Sequence, residues 1–249
     1  MKYYVVADVH GFYTPMMDAL KKAGYFDDPQ PHKLIMLGDL FDRGLEAVEM
    51  QNFVTDLIER DAVILIRGNH EDLFEELVTV DAGLPLRHHI SNGTYETALQ
   101  LTDFDIGIAP IRHYDFAEAA RDTDFYKTII PSMGNYYETE HYVFVHGWIP
   151  CLREQNGYCY MANWRETEEN FWRASRWING MAASASVYED GKTIVCGHWH
   201  ASYGHAVLEK LGSEFGKDAD FHPYYGNGII ALDACTAVSG FVNCIVIED

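Results

Sequence analysis

Cysteine and positive charge are both in short supply in this chain. Five cysteines, Cys151, Cys159, Cys196, Cys235 and Cys244, make an odd number without C-x-x-C spacing in 249 residues. That excludes a disulfide-stapled scaffold and leaves reduced thiols as the expectation. Eighteen Lys and Arg stand against 38 Asp and Glu, a formal net charge of -20. Such a field repels polyanions at long range and argues against a nucleic-acid partner. No stretch is apolar for long enough to span a membrane. The first ten residues run straight into a polar turn, without the apolar core and small-residue cleavage site of a signal peptide. A cytoplasmic protein without membrane contact is expected. Repeats, low-complexity tracts and linkers are also missing, so the reading is one domain over 1–249 with an insertion.

What is present is apolar and strongly patterned. Hydrophobic residues make up 48% and aromatics 14% of the chain, enough to bury a sizeable core. Short apolar runs at Tyr3 to Ala7, Leu34 to Leu37, Val63 to Ile66, Val143 to Val145 and Thr193 to Cys196 each stop at a polar cluster and read as buried strands. Helical spacing at Thr14 to Ala23 and Leu45 to Arg60 makes the first part of the chain β-α-β-α-β. Helical signals at Asp72 to Val80, Thr94 to Thr102 and Phe116 to Lys127 predict a helical cap inserted at about 72–132. A further helical region is expected over Asn163 to Asn179, and the tail, Gly228 to Asp233 and Phe241 to Glu248, reads as two strands joined by a turn. In such α/β sheets ligands sit beyond the carboxyl ends of the strands, which is where the polar clusters lie.

Each cluster has a plain reading and a chemical one. Asp8 and His10, two apart at a strand end, can point to the same side and reach one ion, or can form a turn with a hydrogen-bonded histidine. Between Gly38 and Gly44 lie Asp39, Asp42 and Arg43. Either this is a loop with a local Asp42 to Arg43 contact, or Asp39 bridges two metals, Asp42 orients a catalytic histidine and Arg43 grips phosphate oxygens with its planar fork. Asn69 offers a hard divalent ion a neutral oxygen, and His70 is a proton donor near neutral pH. Glu71 reads as a first-turn helix residue facing the positive end of the dipole. His146, His198 and His200 add three imidazoles, again after strands. Seven ligand candidates on five strand ends are hard to assign to chance. Trp164, Trp172 and Trp177 with Phe171 read as packing rather than a base-stacking platform. Arg165, Arg173 and Arg176 are candidates for a further phosphate contact or a solvated helix face.

The ordered set Asp-x-His-Gly, Gly-Asp-x-x-Asp-Arg-Gly, Gly-Asn-His-Glu, His-Gly and Gly-His-x-His resembles the calcineurin-like metallophosphoesterases, and its middle motifs are similar to the phosphoprotein phosphatase branch. The resemblance spans Asp8 to His200 and extends to a closing hairpin from Ile230. It implies a four-layer α-β-β-α sandwich. It also implies that Asp8, His10 and Asp39 hold one ion, with His200 joining as in the broader superfamily, and that Asp39, Asn69, His146 and His198 hold the other. Ala7 and Cys235 stand where that branch commonly has Gly.

Two divalent ions bring four positive charges and Asp8 and Asp39 cancel two, which makes the pocket locally positive under an acidic surface. Paired ions can share a hydroxide and clamp phosphoryl oxygens during in-line attack. His70, oriented by Asp42, would protonate the leaving oxygen. The oxygen and nitrogen donor set suits Mn²⁺, Fe or Zn²⁺, with Mn²⁺ favoured. The expected substrate is a phosphomonoester, such as phosphoserine or phosphothreonine on a protein. The nearest alternative is a dinucleoside polyphosphate such as diadenosine tetraphosphate, and a non-catalytic metal-binding scaffold is the reading of a different class.

Overall fold

The computed structural model describes residues 1–79, 85–155 and 157–249. The chain begins β1 (Lys2–Val6), α1 (Tyr13–Ala23), β2 (His32–Met36), α2 (Ala47–Glu59), β3 (Val63–Leu65). The three strands are parallel neighbours, as β-α-β units require. Helix α1 buries Met16 and Leu20, one turn apart, and ends at Gly24 (φ 87°), whose N–H closes on the Leu20 and Lys21 carbonyls. Helix α2 buries the stripe Ala47, Met50, Val54 and Leu57.

The segment after β3 is helical: α3 (Asn69–Thr79), α4 (Arg87–Asn92), α5 (Thr94–Thr102) and α6 (His113–Arg121), followed by single turns over Phe125–Ile129 and Ile130–Ser132. Helix α3 starts at Asn69 itself, so the strand-end motif lies on a helix N-terminus. Val80, the expected end of that helix, lies outside the described residues, as do residues 81–84 of the inserted segment.

The second sheet is built from β4 (Tyr137–Glu138) and β5 (Tyr142–Phe144), then, after a hairpin of β6 (Cys151–Glu154) and β7 (Gly157–Tyr160) and helices α7 (Glu169–Ser175) and α8 (Gly180–Ala183), from β8 (Thr193–Cys196), β9 (Tyr224–Gly226) and β10 (Ile229–Ala231). The chain closes with α9 (Thr236–Ser239) and β11 (Cys244–Glu248). Strand order is β11-β1-β2-β3 in the first sheet and β4-β5-β8-β10-β9 in the second.

Two expectations need correction. The region Asn163 to Asn179 is not one helix. Thr167 and Glu168 are extended and separate a turn at Trp164–Glu166 from α7, which lets Trp164 and Trp172 both enter the core. The tail is not a hairpin either. Strand β10 pairs with β8 and β9, while β11 crosses to the other sheet and pairs antiparallel with β1. Asn243 fixes the crossing by donating to the Phe221 and Leu232 carbonyls at 2.7 and 2.9 Å.

Side-chain alternation sorts the core into layers. Tyr3, Val5, Ile35, Leu37, Phe144, Val195 and Leu232 meet between the sheets. Tyr4, Val6, Leu34 and Met36 face the other way, onto α1, α2 and the inserted helices. Val143, Ile194, Cys196 and Ala231 face Trp148, Trp164, Trp172 and Met181. The result is the four-layer α-β-β-α sandwich. Strands covered on both faces are continuously apolar, and each fully buried Val, Leu, Ile or Phe contributes roughly 1.5–3 kcal/mol. The arrangement also brings the carboxyl ends of β1, β2 and β3 beside those of β5, β8 and β10. No helix among the described residues is long and apolar enough to cross a membrane.

Candidate active site

The turns that leave these strands are tightly cross-braced. Asp8, His10, Asp39, Asp42, Arg43, His198 and Cys235 all have positive φ, from 48° to 75°, a region that non-glycine residues occupy only when their surroundings over-determine it. His10 and Gly11 donate backbone N–H groups to the Asp39 and Leu40 carbonyls at 2.9 and 2.8 Å. Gly68 passes so close that a Cβ there would lie 2.2 Å from Asp39 Oδ1. A Cβ on Gly197 would lie 2.0 Å from Asp8 Oδ2. Glycine at both positions is therefore a steric requirement.

Asp39 faces two groups of donors with its two oxygens. Oδ2 lies 3.8 Å from both His10 Nε2 and His70 Nε2, and Oδ1 lies 3.4 Å from His146 Nε2. His10, Asp39 and His70 form one group whose ligand atoms all lie within 4.8 Å of one another, and Asp39, His146 and His198 form the second. Hydrogen bonding leaves a lone pair on the inward nitrogens. His10 Nδ1 donates to the Phe41 carbonyl at 3.0 Å and His146 Nδ1 to the Leu37 carbonyl at 2.7 Å, so each Nε2 is unprotonated in the neutral ring. His146 Nε2 then meets the Asn69 amide oxygen at 2.9 Å, acceptor against acceptor, an arrangement that a cation between them would satisfy. Burial keeps His10 and His146 below the ordinary imidazole value and takes His198 down to about 3, helped by repulsion from His146. Neutral imidazole is the form that ligates.

Two further buried acids, Asp8 and Asp233, adjoin the site without belonging to either group. Burial, with Asp233 and Asp39 nearby, raises Asp8 well above its ordinary value, and burial raises Asp233 to about 6 against the hydrogen bond it accepts from Cys235 N–H. Buried like charges of this kind are relieved by a bound divalent ion. The Asp8 carboxylate itself accepts the His198 N–H at 2.9 Å with both oxygens. His200 is elsewhere. Its Nε2 hydrogen-bonds Glu214 Oε1 at 2.8 Å and its ring packs 4.6 Å from Phe215, outside both groups.

His70 Nδ1 donates to Asp42 Oδ2 at 2.6 Å. Asp42 is held in turn by Thr94 Oγ1 on Oδ2 and Thr97 Oγ1 on Oδ1, both at 2.7 Å. Burial opposes protonation of His70, but Asp39 and Asp42 outweigh it and raise its pKa. Among the described residues the Arg43 side chain forms no ion pair with Asp42. Its Nη1 donates to His10 Nε2 at 2.9 Å and its Nη2 to His70 Nε2 at 3.3 Å, which places a cationic group between the two imidazoles. Arg165 gives its donors to Glu138 and Glu189, and Arg176 to Asp72 and Glu169. Of the three candidate phosphate arginines, that leaves Arg173 exposed, its nearest carboxylate being Asp72 at 4.0 Å.

Four residues of this neighbourhood carry roles that sequence reasoning missed. Glu71 is in the first helical turn as expected, yet its buried carboxylate accepts the backbone N–H groups of Gly68, Asp39 and Leu40 at 2.8, 3.0 and 3.0 Å, tying two strand ends together. Thr94 and Thr97 reach the site from the inserted helices. Their signal was a pair of threonines spaced i, i+3 directly after Gly93. Asp233 sits at the end of β10 and had been read only as a strand residue. A third group, Glu76, His88 and His89, lies in the inserted segment. It suits a cation poorly, because His89 Nδ1 accepts the Leu86 N–H at 3.1 Å and its Nε2 must then carry the hydrogen.

Residues 1–219 match the family model of the calcineurin-like phosphoesterases, and the chain belongs to that family. Among curated relatives, the asymmetrical bis(5'-nucleosyl)-tetraphosphatase PrpE of Bacillus velezensis is 33% identical over 109 residues, which cover 41% of this chain and 42% of that one. The symmetrical bis(5'-nucleosyl)-tetraphosphatase of Thioalkalivibrio sulfidiphilus is 39% identical over 71 residues, 28% of this chain and 25% of that protein. The chain thus spans under half the length of these two relatives. Among solved structures, the cold-active protein-tyrosine phosphatase of a psychrophilic Shewanella superposes with a TM-score of 0.55 at 18% identity, covering 100% of this chain and 75% of that one. At that identity the likeness concerns the fold.

Proposed function

We propose that the protein is a dinuclear-metal-dependent hydrolase of dinucleoside polyphosphates such as diadenosine tetraphosphate. The observation that carries the metal chemistry is Asp39, whose two oxygens each face a separate group of imidazoles. The choice of substrate rests on the curated relatives, which are tetraphosphatases. The expected phosphomonoester or phosphoprotein substrate gives way to the alternative on that ground. Asp8, His10 and Asp39 would hold one ion and Asp39, Asn69, His146 and His198 the other, Mn²⁺ in preference to Fe or Zn²⁺. When bound, such a pair supplies a nucleophilic hydroxide and clamps the phosphoryl oxygens.

The remaining steps belong to the chain's own residues. Asp42 fixes the His70 ring through Nδ1, so that once Arg43 turns from His70 Nε2 to the substrate, the protonated Nε2 can give its hydrogen to the leaving oxygen. Arg43, lying across His10 and His70, is placed to hydrogen-bond a phosphoryl oxygen and stabilise charge on the transferred group. A leaving nucleotide departs as a phosphate, which is already a good leaving group, so His70 matters less here than for an alkyl ester. The reading includes a single domain over 1–249 with residues 72–132 as a cap, supported by the core shared between the sheets, and a cytoplasmic setting, supported by five unpaired thiols.

The test is a parallel assay of the Mn²⁺-loaded protein on diadenosine tetraphosphate, p-nitrophenyl phosphate, its bis ester and a phosphopeptide. The expected result is the highest kcat/KM on the dinucleotide and loss of turnover with a chelator. A preference for the phosphopeptide or for p-nitrophenyl phosphate would overturn the substrate, and full activity in chelator would overturn the metal chemistry.

A further inference from the structure

Trp148, Trp164 and Trp172 are buried in the second core, and Trp199 packs against it. Trp177 is different, with 50% of its surface exposed. Isolated exposed apolar residues are common and require no explanation. Trp177 is singled out by how it is held and by what it borders. It follows α7 and donates its N–H to the Ala174 carbonyl at 3.2 Å. The residue before it, Arg176, is buried and bound to Asp72 at 2.8 Å and Glu169 at 2.6 Å. The Trp177 indole and the His198 imidazole lie nearly perpendicular, with centroids 5.8 Å apart and planes at 81°.

A half-exposed indole is therefore left to solvent beside His198, at the rim of the Asp39, His146 and His198 group. The geometry points to Trp177 as the stacking platform for a nucleobase of the substrate, the phosphates of that nucleotide lying over the donor groups beside it. This rests on the proposed dinucleoside polyphosphate reading and adds the residue that recognises its base. The chemistry suits the surroundings. A chain with net charge -20 has little cationic surface to hold the far end of a polyanion, whereas every base offers an uncharged π-face that an indole can cover. Recognition by stacking alone would also accept different bases.

The experiment uses the full chain loaded with Mn²⁺, its Trp177→Ala and Trp177→Phe variants, and three substrates: diadenosine tetraphosphate, inorganic tripolyphosphate and p-nitrophenyl phosphate. In Trp177→Ala the ratio of KM for the dinucleotide to KM for tripolyphosphate should rise by about 5- to 150-fold, the range expected for one lost base-stacking contact, and Trp177→Phe should restore most of it. Inhibition of p-nitrophenyl phosphate turnover by AMP should weaken in Trp177→Ala while inhibition by inorganic phosphate does not. An unchanged ratio in a wild-type protein that turns over the dinucleotide would overturn this inference and leave the proposed function standing. An equal rise in KM for all three substrates would show a disturbed His198 and also overturn it. If the wild type does not cleave the dinucleotide, the proposed substrate falls. AMP competition then decides Trp177 by itself: equal inhibition of wild type and Trp177→Ala removes the platform.

Discussion

The first sheet and the second sheet contribute differently built halves to one site. On the first, Asp39 and His70 are held by buried partners that fix them. Glu71 gathers three backbone N–H groups around Asp39, and Thr94 and Thr97 hold the carboxylate that holds His70. On the second, His146 hangs from the Leu37 carbonyl of the opposite sheet, and His198 packs against a tryptophan that is half in solvent. The difference follows from what each half has to do. A proton donor works only in one orientation and rewards over-determination, whereas the half proposed to meet the variable part of a substrate keeps an exposed indole beside it.

The largest expected effects break the first half at two different points. Asp39→Asn removes the charge and one of the two oxygens that face the donor groups, and should deplete bound metal and abolish turnover. His70→Ala should leave metal content near normal, because its proposed role is proton donation, and should lower kcat on an alkyl phosphate by the ~10²–10⁴ typical of a lost general acid. On diadenosine tetraphosphate the loss should be smaller, since the leaving phosphate needs little protonation. Elemental analysis beside kcat on both substrates checks the pair. Metal lost in His70→Ala and kept in Asp39→Asn would reverse the two roles.

A smaller effect should come from the inserted helices. Thr97→Val removes the donor to Asp42 Oδ1 and the acceptor of the Asp42 N–H, which lies 2.9 Å away. Hydrogen bonds to charged groups contribute ~1.5–3 kcal/mol, so kcat on poor leaving groups should fall by roughly 10- to 100-fold, with Thr97→Ser close to wild type. The slope of kcat against leaving-group basicity across a series of aryl phosphates should steepen, which a merely structural loss would not produce. An unchanged slope with a lowered Tm would reduce Thr97 to a packing residue.

Those threonines also mark where sequence reasoning stops. The strand ends were legible because a buried strand on a parallel sheet is a continuous apolar run, and the polar residues after it have few other reasons to be there. Asp39, Asn69, His70 and His146 could be placed at one sheet edge on that basis. Thr94, Thr97 and the carboxylate of Glu71 could not, because their partners are 31 to 55 residues distant and no local periodicity encodes which helix lands on which loop. Glu71 to Gly68 is the one short link among them. The aromatic-rich stretch after Asn163 misled for a related reason. Its apolar spacing fits a helix, but Trp164 and Trp172 are drawn into the core from two elements. Trp177 resembles them in sequence and differs in exposure. The tail misled because two short strands separated by a turn residue read as a hairpin, while the tertiary fold sends them to opposite sheets.

The smallest expected effect lies at the edge of the second sheet, away from the chemistry. Glu138 on β4 accepts Arg165 Nε and Nη2 at 2.8 and 2.7 Å and faces Lys192 Nζ at 3.0 Å. The Arg165 hydrogen bonds, opposed by partial burial and joined by Lys192, lower its carboxyl from the ordinary 4.5 to about 2. A carboxyl depressed in the folded state adds stability that is present above its unfolded value and is lost as pH falls through the folded one. Here that window runs from about 4.5 down to about 2. The pair is partly exposed and screened, so it contributes ~0–1 kcal/mol at neutral pH, which for a chain of this size corresponds to roughly 2–4 °C in Tm at most. Glu138→Gln should therefore lower Tm slightly at neutral pH, by an amount that shrinks below pH 4.5 and vanishes near pH 2, with metal content and kcat unchanged. A Tm difference that stays constant across that range would assign the loss to packing rather than to the charge.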